Sequence, residues 1–211
     1  MLDFSIYINE LLLVVLIMFF TTMSPGPDFA FILKQGVTYG RKTSIYTALG
    51  IGSAVSVHII YTIIGIGFII SQSLILFTIV KFLGAGYLIY LGYKSFKSTG
   101  FKIDKEESSE TITMKNKEAF LLGFLCNVLN PKAALFIISI FTVTISSNTP
   151  FAIQSIYGIA CILIALSWYV FLAYVLSNDK IRVFFNKFGK WFDKTVGMIL
   201  ISMGIKVALS K

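Results

Sequence analysis

The sequence predicts an all-α membrane protein with six transmembrane helices, arranged as two inverted three-helix repeats whose first helices are broken by proline. Three observations lead there. The chain is 56% hydrophobic, with a mean hydropathy of +0.85 and only 13% charged residues. Soluble domains carry about 25% charged residues, so the polar surface here is too small to cover a water-soluble globule. Six apolar stretches, near 9–33, 43–70, 73–95, 119–145, 151–176 and 191–209, approach the roughly 20 residues that cross a bilayer. Proline-broken segments recur at matching places in the two halves, which divide the chain into repeats at 1–95 and 119–211 around a charged linker at 96–118.

The first stretch contains SPGPDFAFI, residues 24–32. Proline lacks an amide hydrogen and collides with the carbonyl one turn back, so Pro25, Gly26 and Pro27 should interrupt the helix. Backbone groups left open in hydrocarbon are expensive, and such a segment survives only against protein or a wet cavity. The second stretch carries Gly50, Gly52 and Ser53, a small-residue face suited to close helix approach, and His58, expected to relay protons or to make a packing hydrogen bond. Gly84, Gly86 and Gly92 of the third stretch are expected to pack in the same way, while Lys81 points to a pathway or snorkels to the outer surface. The fourth stretch repeats the break as VLNPKAALFI, residues 128–137. Trp168 and Tyr169 in the fifth are read as lining or packing residues. The sixth is the weakest, with Lys194 early and Lys206 late.

The links alternate in charge. Lys34, Arg41 and Lys42 join the first two spans, a long charged segment joins the third and fourth, and Lys180, Arg182, Lys187 and Lys190 join the last two. The remaining links, SQ and SSNTP, hold no Lys or Arg. Positive residues favour the cytoplasmic side, so the basic links are placed inside and both termini outside. The start, Met1-Leu2-Asp3, has no basic leader segment or small-residue cleavage site, and the first span is expected to be retained. Cys126 and Cys161 both fall in apolar runs and imply no disulfide framework.

Aligning Pro27 with Pro131 sets Asp28 opposite Lys132; aligning Gly92 with Gly204 sets Lys94 opposite Lys206 and Lys81 opposite Asp193. Three spans per half is odd, so the second half must enter the membrane in the opposite sense. Interrupted helices at corresponding positions of such repeats point to a transport site. Of ten acidic residues, Asp28 alone lies well inside a span; Asp193 is at an edge and Glu10 precedes the first apolar run. A central Asp or Lys costs about 2.5–3.5 kcal/mol on insertion scales, so Asp28 and Lys132 should face inward and pair directly or through a substrate. A zwitterion suits them, its ammonium at Asp28 and its carboxylate at Lys132; alternatively Asp28 takes up a proton and drives exchange.

Other classes fit poorly. The net charge of +8 sits in loops between spans, which argues for topology rather than nucleic acid. An aspartyl-type hydrolase needs two adjacent carboxylates, and one His in the chain makes no zinc cluster. Neither an enzyme, a cofactor nor a metal site is expected. A passive channel, or an exporter of another solute such as a metal ion, is the alternative to a carrier, and a homo-oligomer is compatible with the sequence.

Four motifs in order, SPGPDFAFILKQGVTYGRK, ALGIGSAVSVH, KFLGAGYLIYLGYKS and GFLCNVLNPKAALFI, resemble the lysine exporter (LysE) family, and most closely its homoserine/threonine exporter (RhtB-like) branch. The resemblance covers nearly the whole chain. It implies a bacterial inner-membrane protein that exports amino acids or related metabolites, with a proton as the expected coupling ion. It further implies a functional core of Pro25, Gly26, Pro27 and Asp28 with Asn127, Asn130, Pro131 and Lys132; Lys81 and Gly84 match the family's third-span pattern. A small neutral amino acid or a homoserine-like metabolite is the favoured cargo.

Overall fold

The computed structural model describes residues 4–24, 26–97, 114–176 and 179–209, all in helices or short connections. Pro25 and residues 98–113 of the expected linker therefore lie outside the described residues. Eight helices follow one another: α1 (Phe4–Met23), α2 (Pro27–Tyr39), α3 (Arg41–Gln72), α4 (Leu74–Phe96), α5 (Asn116–Val128), α6 (Pro131–Thr144), α7 (Phe151–Val175) and α8 (Asp179–Leu209).

The local chemistry explains where they stop and start. α2 and α6 each open with proline at the first helical position, where a missing amide hydrogen is harmless. Between α2 and α3 stands Gly40 at φ 86°, ψ 174°, a backbone region that favours glycine. Ser73 separates α3 from α4, and its side chain accepts from the Leu76 amide at 3.2 Å.

By length and apolarity, α1 from Ser5, α3 to Ile69, α4 and α7 can each cross a membrane. The pair α5 and α6, bent by 59°, makes a fifth candidate. The expected six-span count is thus met by four or five helices among the described residues. α1 qualifies without α2, so the expected first span at 9–33 is two helices. α8 carries Lys190, Asp193, Lys194 and Lys206 and is not among the candidates. Large apolar side chains such as Ile64, Phe68, Ile75 and Leu83 are at least 60% exposed on α3 and α4, as expected of surfaces that meet lipid rather than water.

α3 is central and packs against α5, α7, α2 and α6, while α4 packs against α8 and α6. Glycine allows the closest of these approaches. A Cβ on Gly50 would run into the Phe120 carbonyl of α5, and one on Gly123 into the Thr47 carbonyl of α3. Gly52 instead abuts Leu166 of α7, so Gly50 and Gly52 serve different neighbours rather than one face. In α4, Gly84 sits against Thr142 and Ser139 of α6. A Cβ on Gly92 would lie 2.6 Å from the Gly197 carbonyl, and one on Gly204 2.7 Å from the Ala85 carbonyl. Gly86, expected to pack with them, faces open space with nothing within 4 Å of an added Cβ.

Candidate functional site

The two helix breaks meet. α1 ends at Met23, and Gly26 leads in extended conformation (φ −165°, ψ −168°) into α2, whose second residue is Asp28. α5 ends at Val128, and Asn130 starts α6 by accepting the Lys132 amide on its side chain at 3.0 Å. Any residue could adopt the Gly26 backbone, so its reason is spatial: an added Cβ would lie 3.2 Å from Lys132 Nζ. The N-termini of α2 and α6, each a partial positive charge, thus flank a buried carboxylate and a lysine.

Asp28 is 8% exposed. Its Oδ2 accepts from Asn127 Nδ2 at 3.0 Å, from Asn130 Nδ2 at 3.3 Å and from the Tyr169 hydroxyl at 3.4 Å. Among the described residues, its Oδ1 receives only the Cys126 thiol, at 3.9 Å. Lys132 lines the same cavity, but the carboxylate's hydrogen-bond partners are amides and a phenol, not the ammonium. His58, 1% exposed, joins α3 to the second break: Nε2 lies 3.0 Å from the Asn127 carbonyl oxygen and Nδ1 2.7 Å from the Tyr61 hydroxyl. The hydrogen bonds expected of it are present, and His58 also lines the cavity that holds Asp28.

These groups enclose a cavity of about 50 Å³, floored by Met18, Thr21 and Thr22 of α1 and walled by Val55, Phe136 and Tyr169. It has room for a few waters. A larger cavity of about 560 Å³ shares Ser24, Gly26, Pro27, Asn130 and Lys132 with it and adds Pro131, Lys94, Lys97 and Asp193. Lys132 stands at the junction of the two. Lys81 does not join them. It lines a separate cavity of about 720 Å³ with Glu10, Phe77 and the 143–147 segment. No group of three or more His, Cys, Asp or Glu side chains among the described residues could hold a metal ion.

A family model described as a LysE type translocator matches residues 19–211. The chain belongs to the LysE family. It is 35% identical over 193 residues to the uncharacterized membrane protein YrhP of Bacillus subtilis, covering 88% of this chain and 92% of that one. It is 30% identical over 192 residues to a threonine efflux protein of Salmonella typhi and 28% identical to that of Escherichia coli K12, with 90% of this chain and 92% of each relative covered. No solved structure matches it. This LysE-family chain is a multi-pass membrane protein by both its relatives and its apolar helices.

Three residues lining these cavities were beyond sequence reasoning. Tyr169 reads as a lining aromatic, yet its hydroxyl reaches Asp28 from α7, 141 positions away. Thr21 precedes the break by one turn and carries no signal beyond its polarity in an apolar run. Asp193, expected at a span edge, is 3% exposed and lines the larger cavity. Glu10, elsewhere in the molecule, is a further buried carboxylate, 6% exposed.

Proposed function

We propose that this protein is a secondary transporter that exports a small neutral amino acid or a homoserine-like metabolite across the bacterial inner membrane, driven by proton exchange. The observation that carries the reading is the meeting of two proline-started helices around Asp28 and Lys132. A zwitterion matches it: its ammonium at the Asp28 carboxylate, its carboxylate at Lys132 and the positive N-terminal ends of α2 and α6. The threonine efflux relatives support an amino acid as cargo. Pro25, Gly26, Pro27, Asn127, Asn130 and Pro131 hold the breaks, and Asp28 is the proton carrier when no ammonium is bound. Export asks for no bound cofactor.

Two inverted three-helix halves are part of the same proposal. It is supported by the contact pattern of α4 on α8, where Gly92 meets Gly197 and Ala85 meets Gly204. Moving forward along α4 means moving backward along α8, so the helices are antiparallel. The alignment of Gly92 with Gly204 also pairs Ala85 with Gly197, and exchanging the halves turns one contact into the other. With basic links inside, both termini are extracytoplasmic. The 50 Å³ cavity is far below the about 300 Å³ of an ordinary ligand site, and on this reading it is a closed form that widens from the side of the 560 Å³ cavity.

The test is exchange of a labelled amino-acid panel in reconstituted vesicles, with and without a pH gradient. Uphill movement that follows the gradient is expected. Unsaturable flux indifferent to the gradient would replace the carrier with a channel.

A further inference from the structure

The Asp28 cavity holds polar atoms that the fold leaves without partners, and they share one character. Asn127 is 1% exposed and lines the cavity, and its Oδ1 has no hydrogen-bond partner. The orientation of this amide is fixed, because its Nδ2 donates to Asp28 Oδ2 and a flip would press two oxygens together. Thr21, 7% exposed, lines the same cavity, and its Oγ1 also has no partner. Asp28 Oδ1 has only a thiol at 3.9 Å, a weak donor. Asn127, Asn130 and Tyr169 each direct one donor at Oδ2. The cavity, which Lys132 also lines, therefore offers three acceptors that the fold leaves open to a ligand: a carboxylate oxygen, an amide oxygen and a hydroxyl oxygen.

We infer that Asp28 Oδ1, Asn127 Oδ1 and Thr21 Oγ1 form a subsite for a primary ammonium group, with Thr21 and Asn127 setting its specificity. A primary ammonium has three N–H donors, one for each acceptor. A buried acceptor without a donor is costly, so filling all three distinguishes a primary amine from its N-methylated form, which leaves one unmet and adds a methyl group. The inference rests on the zwitterion reading above and adds to it which amines are accepted and which side chains decide.

The experiment uses the full-length protein in proteoliposomes and matched competitor pairs: alanine and N-methylalanine, serine and N-methylserine, threonine and N-methylthreonine. Counterflow of each labelled primary amino acid is inhibited by both members of its pair. The N-methyl member is expected to be weaker by about tenfold or more. Thr21→Val should narrow that gap, since the methyl then meets an apolar side chain, and Thr21→Ser should restore it. If no amino acid moves, the transport reading itself fails and the subsite falls with it. If amino acids move but paired competitors inhibit equally, or the gap persists unchanged in a folded Thr21→Val, the ammonium assignment is overturned while transport stands. A strict sodium requirement whose half-saturation shifts in Thr21→Val would give the three acceptors to that cation and equally overturn it. Should Thr21→Val fail to insert, the wild-type pairs alone decide.

Discussion

Two buried carboxylates, Glu10 within α1 and Asp28 in the first turn of α2, are treated by the protein in opposite ways. Glu10 Oε1 accepts from the Ser146 amide at 2.8 Å and from Thr149 Oγ1 at 3.1 Å; Oε2 accepts from Thr149 Oγ1 at 2.9 Å and from the Tyr157 hydroxyl at 3.1 Å. Both oxygens are occupied by the α6–α7 connection and by α7, and Gln154 Nε2 closes the knot on the Thr149 carbonyl at 2.9 Å. Asp28 loads three donors on one oxygen and leaves the other facing a cavity. A carboxylate with both oxygens engaged fastens helices together. A carboxylate half engaged can exchange partners, which is what a site for a mobile ligand needs.

The comparison breaks first at Asp28. Asp28→Asn retains the shape and a hydrogen-bonding side chain but removes the charge. Loss of a buried charged contact to a ligand costs about 2–5 kcal/mol, so coupled transport should fall by about 30-fold or more. Helicity and elution in detergent should match the wild type. Near-normal transport by this variant would reduce Asp28 to a second Glu10, a fastener.

The next effect is on folding. Gly123→Val would drive a branched side chain into the Thr47 carbonyl where α3 and α5 touch backbone to backbone. Overpacking typically costs about 1–3 kcal/mol, and here the obstacle is backbone, so an effect at or above the top of that range is expected as a lowered melting temperature and poor membrane yield. An unaltered melting temperature would mean that α5 is free to shift, and with it Asn127 and Asn130.

Glu10→Gln should act more mildly. It retains the side-chain volume and one acceptor oxygen while turning the other into a donor that faces the Ser146 amide or the Thr149 and Tyr157 hydroxyls. A loss of about 1–3 kcal/mol of stability is expected, seen as a lower melting temperature, with transport preserved at temperatures where the protein is folded. Transport lost from a fully folded Glu10→Gln would mean that the knot moves during the cycle.

The contrast between the two carboxylates also marks what could be read from the chain. Breaks at 24–27 and 129–131 were legible because proline and glycine act locally, and Asp28 and Lys132 because charge inside an apolar run is conspicuous. Glu10 was not, because its burial comes from Ser146, Thr149 and Tyr157, more than 130 positions away. Tyr169 was hidden for the same reason: a hydroxyl's partner depends on which helices become neighbours. The span count differs because the fourth stretch is a bent pair of helices and the sixth belongs to α8, which extends from Asp179 and is not among the candidates, so apolar run and helix do not coincide.

Gly86 sharpens the last point with the smallest expected effect. Residues two apart on an α-helix are about 200° apart around its axis, so Gly84 and Gly86 cannot both face one neighbour. On α3 a similar pair, Gly50 and Gly52, is used on both sides, because that helix is enclosed by α5 and α7. α4 turns one side to α6 and α8 and leaves another open, where Leu83 and Tyr90 are 68% and 55% exposed. Gly86→Ala should therefore be neutral or stabilising by up to about 1 kcal/mol through helix propensity. Gly92→Ala, its internal control, should destabilise because its Cβ meets the Gly197 carbonyl at 2.6 Å. Melting temperatures of the two variants that move in opposite directions would establish which side of α4 is packed. A loss in Gly86→Ala equal to that in Gly92→Ala would mean that another surface, such as a second copy of the chain, covers the side left open here.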